Sequence, residues 1–214
     1  KCIQYLGFPR RAQALAAAST LPFLFMKENA MWGGSIPSTL AGELAYGIGL
    51  VIGLYLTGRL FRDVPANRSL GGNAVLESLV ALSNGYPLLQ VGGGSLFFLW
   101  RGVHWRYLAV LHATAAGLLA FWLLPFLRQL PWNTSFALAW NIRHWTEVIP
   151  YSFIPVLLGI PLGWLATIVR GAPLQEAVEG KEAVSERGRC ARQYLWWQVA
   201  VAVAGFATAP WLEV

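Results

Sequence analysis

The sequence predicts an all-α fold: a polytopic membrane protein built as a bundle of five or six transmembrane helices, with a short interfacial amphipathic helix. Three observations lead there. Of 214 residues, 56% are hydrophobic and 12% charged, and that charged share is about half of what an ordinary soluble domain carries. Mean hydropathy is +0.50. The apolar residues gather into runs near the ~20 residues that a helix needs to cross a bilayer core. A water-soluble enzyme or a DNA-binding domain is excluded on these grounds. The net charge of +6 belongs to loops beside lipid headgroups, with no nucleic-acid partner expected. Residues 1–214 read as a single integral membrane domain.

The first run, Ala12 to Met26, has 15 residues and contains Pro22, so it decides between five spans and six. It follows Arg10 and Arg11 but ends at Lys27 and Glu28 without a small-residue cleavage pattern, so it is no secretory signal. The chain starts at Lys1, as a matured protein or a segment of a longer precursor would. Pro37 to Gly58, Tyr107 to Leu127, Val148 to Val169 and Tyr194 to Leu212 are full-length spans. Ala74 to Trp100 is long enough as well, but Ser83 to Pro87 and Gly92 to Gly94 interrupt it, so it reads as one broken span.

Basic residues then distribute eight to each side with six spans, and eleven against five if the first run does not cross. Only the second count obeys the positive-inside rule. Residues 133–147 place Phe136 and Trp140 apart from Asn141, Arg143 and His144, the pattern of a helix lying in the interface. The polar stretch 171–193 reads as a charged extramembrane loop or helical arm, acidic early and basic late. Ala45, Gly49 and Gly53, then Gly159 and Gly163, then Ala200 and Ala204 recur at four-residue steps, the spacing that lets membrane helices approach closely. Pro150, Pro155 and Pro161 bend the fifth run.

Ionisable residues inside a span are costly and mark candidate function. Glu43 and His112 lie about 9 and 7.5 Å into their helices, and if Ala74 to Trp100 crosses once they share one membrane level. Asn84, with Tyr86 and Gln90, forms a candidate polar site where the backbone breaks. Arg101, Arg106, Arg143, His144 and Trp145 are candidate headgroup or lipid contacts. Cys2 and Cys190 match no metal or redox spacing, and the histidines are too scattered for haem, so no cofactor or metal is expected beyond bound lipid. No nucleotide, zinc-protease or serine-hydrolase motif occurs. The expected function is therefore a non-catalytic accessory subunit of a multi-subunit membrane complex, respiratory or photosynthetic, in an organellar inner membrane. A small-solute or ion transporter and a membrane-embedded lipid or quinone enzyme are the alternatives. Expected partners are membrane lipids and other membrane subunits.

Overall fold

The computed structural model describes residues 1–25, 35–40, 42–102, 104–132, 154 and 181–208, with side chains of the last segment described from 188 to 201. Every regular element among them is helical: α1 (Cys2–Tyr5), α2 (Arg10–Ala18), α3 (Thr20–Leu24), α4 (Ile36–Leu40), α5 (Leu44–Asp63), α6 (Leu70–Ser83), α7 (Gly85–Trp100), α8 (Trp105–Gln129, followed by a 3-10 turn at Leu130–Trp132) and α9 (Lys181–Thr208). Two stretches, Leu44–Asp63 and Trp105–Trp132, are long and apolar enough to cross a membrane.

Contacts along α5 fix the topology. A Cβ on Gly72 would meet Arg59, whereas one on Gly49 would meet Ser83, so α6 runs against α5. Gly49 faces Pro87 and Gly53 faces Val91, so α7 runs with α5 and opposite to α6. Asn73 bonds Tyr107 while Ser78 bonds Ala115, which makes α8 parallel to α6. Finally, Arg101 meets Gln193 and Gly93 meets Val201, so α9 runs back along α7. Leu56, Leu60, Val91, Phe97, Leu108, Leu111 and Tyr194 are buried between these helices. Phe61, Phe97 and Phe98 surround the Tyr194 ring at 5.3, 5.1 and 5.5 Å between centroids.

This arrangement corrects several expectations. Ala74 to Trp100 is two helices, not one broken span. Pro87 has no N–H and would crowd the Ser83 carbonyl in a continuous helix. The chain therefore extends at Asn84 (φ −166°, ψ 143°), whose side chain accepts from the Tyr86 N–H and caps α7. Gly92 to Gly94 do not break α7, because their bare surface is where α9 packs: added Cβ atoms at Gly93 and Gly94 would collide with Val201 and Gln198. The span expected over Pro37 to Gly58 starts later and ends later, since Gly42 at φ +110° separates α4 from α5. The run Ala12 to Met26 contributes α2 and α3, both short. The polar stretch from Lys181 and the start of the last apolar run form one helix instead of a loop followed by a span. The expected interfacial helix 133–147, the run Val148 to Val169 except residue 154, and the Gly159/Gly163 pair lie outside the described residues.

Because α6 and α7 form an out-and-back pair, Arg59, Arg62, Arg68, Arg101 and Arg106 collect at one end of the bundle, where the single-crossing expectation had divided them. Glu43 and the N-terminus of α5 are at the other end. By the positive-inside rule the arginine-rich end is expected on the non-translocated side of whichever membrane holds the chain. In a chain with Cys2 and Cys190 replaced by Ser, Ala66→Cys is expected to be shielded from an impermeant maleimide in sealed native membranes whose translocated side faces outward, and Thr39→Cys to be labelled. The reverse pattern would reject this orientation.

The short helix α1 docks on α5 where Gly58 lets the backbones touch: a methyl at Gly58 would sit 2.7 Å from the Cys2 Cα. Burial there also pushes the Cys2 thiol above its ordinary pKa. Gly58→Ala is expected to cost about 1–3 kcal/mol as overpacking and to undock α1, read as faster maleimide labelling of Cys2 and a lower thermal midpoint in detergent.

Candidate functional site

A polar stripe on α6 organises the interior. Asn73 and Glu77 are one turn apart, and with Ser78 all three are buried. On the facing helix α8, the stripe Leu108, Leu111, Ala115 and Leu119 is buried, and His112 stands at its edge with its side chain 36% exposed. The pair meets at close range: His112 Nδ1 lies 2.6 Å from Glu77 Oε1. On the other side of the ring, Nε2 lies 3.1 Å from the Ser95 Oγ of α7. Glu77, His112 and Ser95 thus form a continuous carboxylate, imidazole and hydroxyl chain across three helices.

Proton positions in this chain are constrained by the fourth partner. Ser95 Oγ is 2.7 Å from the Gly92 carbonyl and donates to it, so its lone pairs face Nε2–H. Nδ1 then either accepts from a protonated Glu77 or carries its own hydrogen toward a carboxylate. The two descriptions differ by the place of one proton within a 2.6 Å gap. If the Ser95 hydroxyl rotates toward Nε2, that nitrogen becomes the acceptor and Nδ1–H faces the carboxylate. Glu77 Oε2 is buried with no hydrogen-bond partner among the described residues, an unmet acceptor of the kind that native interiors rarely leave.

A second cluster lies one turn away, toward the arginine-rich end. Asp63, fully buried, receives Arg62 through both Nε (2.6 Å) and an Nη (3.0 Å), and Arg59 and Arg68 through Nε at 3.4 Å each. Asn73 donates to the same carboxylate and to the Tyr107 hydroxyl, which in turn donates to the Arg68 carbonyl. Arg62 also lies over the Tyr5 ring at 4.3 Å.

The expected site residues are placed as follows. His112 is a member of the chain. Glu43 is not its partner: it precedes α5 at the opposite end, roughly 20 Å of helix rise away, because α6 and α7 together reverse the chain once more than a single crossing would. Asn84 serves as the α7 cap and packs beside Gly49. Arg101 is exposed, bonds Gln193 and lies over Phe97, while Arg106 is exposed over Trp105. Arg143, His144 and Trp145 lie outside the described residues. The sequence reading missed Glu77, Ser95 and Asp63. The i, i+4 spacing of Asn73 and Glu77 within an apolar run is the signal that marks a buried polar stripe. Among the described residues no group of three His, Cys, Asp or Glu is placed to hold a metal.

Among the described residues the fold is an all-helical bundle. Residues 2–214 match the family model of the 6-pyruvoyl-tetrahydropterin synthase related domain, described as a membrane protein, and the chain belongs to that family. No curated protein and no solved structure matches it.

Removing the imidazole leaves the Glu77 carboxylate buried and unpaired. His112→Ala is expected to cost about 3–5 kcal/mol, whereas the apolar double replacement Glu77→Leu with His112→Phe recovers most of that loss. Thermal unfolding in a fixed detergent checks the order; a double variant no more stable than His112→Ala would contradict it.

Proposed function

We propose that this chain is the membrane-embedded part of an enzyme acting on a lipid-soluble substrate, with His112 as its acid–base group. The observation that supports this is the Glu77–His112–Ser95 chain. A titratable pair at bilayer depth is costly, and clamping α6 to α8 does not require one, since Asn73 already bridges them by donating to the Tyr107 hydroxyl at 2.9 Å. A carboxylate behind an imidazole fixes its tautomer and stabilises the imidazolium. The His112 ring reaches the outer surface of the described bundle, where a lipid-borne hydroxyl has access. That hydroxyl displaces Ser95 and gives its proton to Nε2 as its oxygen bonds to an electrophilic centre. The imidazolium, balanced by Glu77, then returns the proton to the leaving group.

The span count belongs to the same proposal. Beyond α5 and α8, the helices α6 and α7, with 14 and 16 residues, and α9 run beside them as further candidate spans of a bundle of five or six. The transporter alternative loses support at Asn84, where the backbone break is capped by the Asn84 side chain and packed beside Gly49.

To test the proposal, the purified chain is incubated with lipid extract from its native membrane, and the lipids are profiled by mass spectrometry. The wild type is expected to convert at least one species, and His112→Gln, whose amide can still donate to Glu77, to lower that rate by about 10²–10⁴-fold in protein that still unfolds cooperatively. Equal conversion by both, or no conversion by the wild type, rejects the enzyme.

A second reading, the non-catalytic subunit of a larger complex, is favoured by α8: only 17% of its apolar window is buried, and Phe121, Trp122 and Leu124 are exposed. Under that reading the chain migrates with a large assembly from the solubilised native membrane.

A further inference from the structure

We infer that the arginine cluster around Asp63 is a binding site for a phosphate-class anion, supplied by the headgroup of an anionic phospholipid. Three guanidinium groups share one carboxylate, which leaves two positive charges in excess. Arg62 is committed, forked onto Asp63 and stacked on Tyr5. Arg59 and Arg68 are held more loosely: each reaches Asp63 through Nε alone, at 3.4 Å, and Arg59 also lies over the Tyr55 ring at 5.9 Å. A planar guanidinium with its outer edge open matches a phosphate oxygen pair.

The surroundings extend the same chemistry. An Nη of Arg59 lies 3.4 Å from where a Gly72 Cβ would be, so the guanidinium stands against the first turn of α6. Gly71 and Gly72 are exposed there, and the backbone N–H groups of that turn have no helical acceptor. Height favours a lipid over a free ion. Trp100 and Trp105, 68% and 61% exposed, mark the headgroup level at this same end, and Arg59 is largely buried, its side chain 18% exposed. The site is independent of the acid–base proposal, because its readout is binding without turnover.

Native mass spectrometry of the full chain in a neutral detergent tests it, with phosphatidylglycerol, phosphatidylcholine and inorganic phosphate as the probes. Phosphatidylglycerol is expected to be retained about tenfold more than phosphatidylcholine. The Arg59→Gln/Arg68→Gln double variant is expected to abolish the preference, and Arg128→Gln, exposed at the far end of α8, to keep it. Gly72→Asp leaves the Asp63 network intact and places a carboxylate at the open edge, so it is expected to abolish the preference even if the double variant folds poorly. Displacement by millimolar inorganic phosphate supports a phosphate-class site and overturns the lipid as its source; no displacement supports the lipid. No preference in the wild type, or a preference surviving Gly72→Asp, overturns the site itself.

Discussion

The reversal at Asn84 is the constraint on which the rest of this structure depends. Pro87 forbids an unbroken helix, Asn84 caps the new one, and Gly49 and Gly53 make room on α5 for the returning chain. That one reversal sends α7 back along α5, delivers Ser95 to His112, and puts the α7–α8 connection at the same end as the α5–α6 turn. Two of the three helices bearing the Glu77–His112–Ser95 chain would be one helix without it, and the arginines would be divided between the two faces of the membrane.

Lipid as solvent explains why the polar groups are organised as they are. Hydrocarbon offers no hydrogen bonds to a stranded donor or acceptor, so each buried polar side chain is drawn toward a partner on another helix. Ser78, Asn73, Tyr107, Glu77 and His112 accordingly tie α6 to α8. The apolar residues facing outward, such as Val51, Leu96, Val110 and Phe121, match the surrounding lipid and have no comparable need of partners.

The membrane class and the long helices α5 and α8 were legible in the sequence because run length and hydropathy report directly on the solvent. The close-approach face of Gly49 and Gly53 was legible for the same reason that small residues recur at four-residue steps. The pairing of His112 was not. Depth along a helix can be read from the sequence only once the number of crossings is known, and miscounting one reversal moved Glu43 from the far end of the bundle to the level of His112. Glu77 escaped notice because its flanks Val75, Leu76, Leu79 and Val80 keep the local hydropathy high, although its offset from Asn73 is the pattern of a face turned inward. Ser95 carries no local signal: it follows three glycines, and only the packing of α7 gives it a neighbour.

Arg62 joins the N-terminal helix to the ion cluster, beside the Tyr5 and Tyr55 hydroxyls that meet at 3.3 Å. Its fork holds the Asp63 carboxylate while its flat face covers Tyr5, so the N-terminal helix is latched to the ion cluster by a single side chain. A pull on the amino-terminal segment is therefore transmitted to Asp63, and through Asn73 to the top of α6, without passing through the hydrocarbon-facing surface at all.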